Sequence, residues 1–142
     1  MDKFSNIKRK FLEIRDMRKR TMLHIACQRG SIPILDIILK ELRENKVRAL
    51  RHDVNGDTPL DLACIRGFDA RENEMYKQED GTYTSKRYQA VKRLLEYKDW
   101  NGKIVFDIDK TTIRKKMNTP LHWAIYWTDI DLAELVFCEF PG

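Results

Sequence analysis

Cysteine is scarce in this sequence: Cys27, Cys64 and Cys138 are the only three, an odd number without Cys-x-x-Cys spacing. Neither a disulfide framework nor a zinc site follows, and the simplest expectation is reduced, buried thiols. Long apolar runs are also missing. No stretch approaches the roughly 18 apolar residues of a membrane span, and Met1 to Lys10 lacks the apolar core of a secretory signal. We expect no transmembrane segment and a cytoplasmic location, intracellular and open to the nucleus. There is no phosphate-binding Gly-rich loop, dinucleotide fingerprint, His-Glu-x-x-His pair or EF-hand loop. The three histidines, His24, His52 and His122, have no metal-ligand spacing. No nucleophile stands in a pattern with a base and a third orienting group. The sequence therefore predicts no catalytic residue, metal, cofactor or small-molecule substrate.

What is present suffices for one core. The 142 residues are 42% hydrophobic and 35% charged, enough apolar surface to fold as about one domain with an ionic exterior. Lys and Arg outnumber Asp and Glu by 27 to 22, and the net +5 favours acidic partners without choosing among them. Self-similarity carries more information. Thr21-Met-Leu-His-Ile-Ala-Cys-Gln-Arg-Gly30, Thr58-Pro-Leu-Asp-Leu-Ala-Cys-Ile-Arg-Gly67 and Thr119-Pro-Leu-His-Trp-Ala-Ile-Tyr-Trp-Thr128 share Thr-x-Leu-x-x-Ala. The first copy continues with Ile34, Ile37 and Ile38, and the third with Leu132, Leu135 and Val136. The same apolar pattern in the second waits until Val91, Leu94 and Leu95, after a 20-residue insertion.

These three copies resemble the ankyrin repeat, whose Thr-Pro-Leu-His-x-Ala signature recurs about every 33 residues and opens the first of two antiparallel helices. The third copy carries the signature intact. Thr serves as an N-cap acceptor and Pro at the first helical position strands no amide, so Thr58-Pro59 and Thr119-Pro120 start helices. Gly30 and Gly67 end the short helices. Asp53-Val-Asn-Gly-Asp57 has the turn chemistry of the family's hairpin finger. Departures are Met22 in place of Pro, Asp61 in place of His, and Thr128-Asp129 where Gly is usual. The spacings, 37 from Thr21 to Thr58 and 61 from Thr58 to Thr119, exceed the nominal period. The resemblance spans roughly Lys19 to Phe137.

The expected fold is all-α, an ankyrin-repeat solenoid of helix-turn-helix units with short hairpin-like fingers. Residues 1–18 form an N-terminal amphipathic capping helix, built on Phe4, Ile7, Phe11, Leu12 and Ile14 among Lys8, Arg9, Lys10 and Arg15. The repeat domain occupies 19–142, with repeats at about 19–52, 53–113 and 114–142. The polar insertion 69–88, with Tyr76, Tyr83 and Thr84, reads as an exposed excursion. Alternation at Ile104, Phe106 and Ile108 makes 101–113 an extended, strand-like finger.

The resemblance implies that finger tips and the open end of each short helix line one binding wall. By register that wall holds Met17, Arg18, Arg20, Gln28 and Arg29, then Val54, Asn55, Asp57, Ile65 and Arg66, then Lys115, Lys116, Asn118, Tyr126 and Trp127. His24 and His122 take the family's histidine position, where the ring ties finger to helix. The function implied is non-catalytic protein binding to a partner with an acidic surface or an apolar pocket. The alternatives are a regulatory domain of a larger enzyme or membrane channel, and nucleic-acid binding through the basic wall, which lacks a recognition motif and has only modest charge.

Overall fold

A computed structural model describes residues 3–65, 75–107, 122, 125–126 and 128–139. It is largely helical with one two-stranded sheet. The elements are α1 (Lys3–Glu13), α2 (Met22–Arg29), α3 (Ile32–Glu44), α4 (Pro59–Ile65), β1 (Met75–Lys77), β2 (Tyr83–Ser85), α5 (Lys86–Glu96) and α6 (Ile130–Glu139).

The short helices start where the repeated threonines stand. Thr21 is extended and its hydroxyl accepts the His24 amide at 3.4 Å, while the His24 ring accepts the Thr21 amide at 3.1 Å. In α4 the same reciprocal cap forms with another side chain: Thr58 accepts the Asp61 amide at 3.2 Å, and the Asp61 carboxylate accepts the Thr58 amide at 2.9 Å. Gly30, left-handed at φ 67°, closes α2. Helix α3 buries Ile32, Leu35, Ile38, Leu39 and Leu42 along one side. Of the expected set Ile34, Ile37 and Ile38, only Ile38 faces the core, because the buried stripe runs through Ile32, Leu35, Leu39 and Leu42 and turns Ile34 and Ile37 to solvent. Its end is a left-handed Lys46 with the Val47 amide bonded back to the Leu42 carbonyl, which satisfies a terminal acceptor.

Short helices pack on short and long on long. Helix α2 lies against α4, while α1 meets α3, α3 meets α5 and α5 meets α6. Between the rows sits a continuous core that includes Leu23, Cys27, Leu35, Leu60, Cys64, Val91, Leu94 and Leu132, all buried. Phe106 joins it from the extended segment, where Ile104 makes one antiparallel bridge with Lys98.

The sheet is the departure from an all-α chain, and it lies in the insertion. β1 and β2 pair antiparallel around Gln78 to Thr82. The hairpin is only partly exposed. Thr84 is buried with its hydroxyl accepting Gln89 Nε2 at 2.7 Å, and the Tyr76 ring packs beneath the Arg93 guanidinium at 5.4 Å. Polar and cation–ring contacts hold it on α5, so apolar periodicity alone does not reveal it.

Candidate functional site

One turn is built three times. At Asp16, Asp53 and Asp99 a carboxylate oxygen accepts the amides two and four residues on: Arg18 and Arg20 at 2.9 Å each, Asn55 and Asp57 at 2.9 Å each, Asn101 and Lys103 at 2.8 and 3.0 Å. The aspartate amide also bonds to the carbonyl four residues on in all three. Such closed Asp-anchored loops need a left-handed residue at the fourth place, filled by Lys19 (φ 60°), Gly56 (φ 83°) and Gly102 (φ 75°). The amides of Arg20 and Arg18 hold the Asp16 carboxyl below its ordinary range.

The same geometry throws the residue after each aspartate outward. Met17 is 101% exposed, Val54 56% and Trp100 37%, so every finger carries an apolar side chain at its tip. The first two fingers are joined directly, the Val54 amide donating to the Arg18 carbonyl at 2.8 Å. Beside Trp100 a cavity of about 230 Å³ opens, walled by Arg48 to Leu50 and Lys103 to Val105. Exposed cations stand on these turns, Arg18 and Lys19 in the first and Lys103 in the third, with Arg48 lining the cavity beside Trp100 and Arg29 exposed at the end of α2, none with an ion-pair partner among the described residues.

His24 supports this face from below. Its Nε2 lies 3.0 Å from the Asp57 carbonyl, an atom that only accepts, while Nδ1 takes the Thr21 amide, so the proton sits on Nε2. Burial pushes its pKa below 6.5. The ring is a neutral strut between α2 and the second finger.

The expected wall divides into four groups. Arg18, Arg29 and Asn55 are exposed on the fingers and short helix, and Tyr126 is exposed at 69%. Arg20 and Gln28 bond to each other at 2.7 Å, with Arg20 also paired to Asp16 at 3.0 Å, so both brace the first finger. Asp57 and Ile65 are half-buried. Arg66, Lys115, Lys116, Asn118 and Trp127 lie outside the described residues. His122 is exposed, unlike His24.

Residue counting from Thr119 missed Trp100. The signal was present, because Asp99-Trp-Asn-Gly102 repeats Asp53-Val-Asn-Gly56 at three of four places. Met22 and Ile25, exposed on α2 in line with Arg29, were missed as well. Their i, i+3, i+7 spacing marks a single helical stripe.

Cys27 and Cys64 are fully buried, and desolvation raises both thiols far above the range where a thiolate forms. Among the described residues no three His, Cys, Asp or Glu side chains cluster as metal ligands, and no helix is long and apolar enough to cross a membrane. Residues 4–73 match a family model described as ankyrin repeats (3 copies). That span runs from α1 through α4 and contains the first two fingers. No curated protein matches the chain.

Proposed function

We propose that this chain, which carries ankyrin repeats over residues 4–73, is a non-catalytic protein-interaction module that grips its partner with the finger row. Ankyrin repeats are in general protein-binding units. The finer reading rests on one observation: three turns built on the same Asp-anchored pattern each present an apolar residue, Met17, Val54 and Trp100, with exposed Arg and Lys on the turns that have no ion-pair partner among the described residues. Rigid turns lose little entropy on binding, and a solvated apolar tip is stabilised only when something covers it. A partner segment with apolar side chains flanked by Asp or Glu complements that row, and the cavity beside Trp100 has room for one such side chain.

The two rows of helices belong to the same reading, as a short solenoid continuing through a third repeat around Thr119 and His122. Tyr126 extends the face there. The test is photo-crosslinking in native extract from a benzoylphenylalanine placed at Val54, with the same group at Glu96 on α5 as control. Discrete protein adducts from position 54 alone are expected. Adducts with nucleic acid, or equal capture from both positions, would remove the finger row as the binding face.

A further inference from the structure

The long helices α1, α3, α5 and α6 form one row, and both of its ends expose apolar side chains. At the N-terminal end, α1 buries Leu12 but leaves Ile7 and Phe11 exposed, and Ile14, just past its end with its amide bonded back to the Lys10 carbonyl, is exposed at the next place of the same i, i+4, i+7 stripe. The patch continues on α3. Ile34 and Ile37, exposed at 54% and 62%, lie seven and four residues before Glu41, on the side of α3 that meets α1 through the Lys8–Glu41 pair.

At the other end, α6 buries Leu132 and Leu135 against the molecule. Ile130 and Phe137 point to the opposite side by helical geometry and are 68% and 63% exposed. A helix apolar on opposite faces belongs between two layers, and among the described residues only one packs on α6. Ile125, whose carbonyl accepts the Thr128 amide at 3.1 Å just before α6, is exposed as well.

The two ends differ in charge. Residues 3–15 hold five Lys and Arg against Glu13 alone, whereas α6 contains Asp131, Glu134 and Glu139 and no cation. The Asp131 carboxyl is raised by burial and then by neighbouring Asp129 and Glu134, the field a nearby cation would relieve.

We infer that the α1 end of one copy stacks on the α6 end of a second copy, apolar stripe on apolar stripe with basic rim on acidic rim. The contact is heterologous, since each copy offers one end of each kind, so assembly extends head to tail or closes into a ring. This surface is separate from the finger row and stands or falls without it.

Sedimentation velocity on the 142-residue chain from micromolar to millimolar concentration tests the stacking. Wild type should pass through dimers to longer assemblies, less so in high salt. Phe11→Asp and Phe137→Asp, both at exposed positions, should each sediment as monomers with unchanged helical circular dichroism. Mixed in equal amounts they should form a dimer and stop there, because each retains one intact end. If Phe137→Asp lowers the helix content, Ile130→Asp takes its place. A monomeric wild type, assembly by either variant alone, or a mixture that stays monomeric would overturn the inference. So would a monomeric wild type whose binding to phosphatidylglycerol vesicles is lost in Phe11→Asp, which would make the α1 stripe a lipid-binding face.

Discussion

Asp61 and His24 hold the same place in successive caps, and their environments move them in opposite directions. Burial, reinforced by Asp57 and Asp53, pushes Asp61 from 3.8 up to about 6, against the Thr58 hydrogen bonds that favour its charged form. The folded state then binds the proton more tightly than the unfolded chain, so the stability this group contributes is present at low pH and lost as pH rises through about 6. His24, shifted below 6.5, does the reverse and loses its contribution as pH falls below that value. Asp61→Asn keeps an oxygen for the Thr58 amide and removes the charge. It should raise stability at pH 7.5 by roughly 1–2 kcal/mol, from about 1.4 kcal/mol per pKa unit discounted for solvent screening. The gain should vanish near pH 4, as measured by urea denaturation at the two pH values; equal stabilisation at both would dismiss the titration account. Lys19 offers a second contrast, since it sits left-handed where the other fingers have glycine. Lys19→Gly should stabilise by up to about 1 kcal/mol, and Gly56→Ala, with open space around the added Cβ, should lose about as much for backbone reasons alone.

Among the elements, α5 and α6 are joined by a single buried carboxylate. Asp129 Oδ2 accepts the Ser85 hydroxyl at 2.6 Å and pairs with Arg87 at 3.2 Å, while Oδ1 accepts the Leu132 amide and caps α6. Ser85 in turn caps α5 by accepting the Tyr88 amide at 2.9 Å. Asp129→Ala removes one buried charge partner of Arg87 and uncaps a helix, and should cost about 2–3 kcal/mol. A loss under about 1 kcal/mol in chemical denaturation, the value of an exposed pair, would show that water reaches the site. No spacing in the sequence announces this latch, because Arg87 and Asp129 are 42 residues apart. The caps were legible because Thr21 and Thr58 act on amides three residues away. The third finger was equally local in Asp99-Trp-Asn-Gly102, yet a count from Thr119 assumes a regular period that the chain does not keep. The three-residue strands of the hairpin are too short to show alternation, and their packing depends on Arg93 and Gln89 beyond them.

At the scale of the whole molecule, cations and apolar tips share the finger face, and they should act on different steps of binding. Arg18, Lys19 and Arg29 are exposed cations whose field reaches a partner before contact, at distances near the ~8 Å Debye length of physiological salt. Trp100 acts only after contact, when its ring leaves water. Once the partner is in hand, Arg18→Glu with Arg29→Glu should slow association and flatten its dependence on salt, with little change in the off-rate. Trp100→Ala should leave association nearly as it was and speed dissociation about 30-fold, equivalent to the ~2 kcal/mol of a hot spot. Surface plasmon resonance over a series of salt concentrations separates the two effects, with thermal unfolding as the control on folding. Trp100 also borders the cavity at Lys103 to Val105, one residue before buried Phe106, so a variant that melts early would assign the ring to support of the third finger. A charge-reversed variant that associates at the wild-type rate at every salt concentration would mean that the basic surroundings of the tips are only solvated, and that the apolar tips alone select the partner.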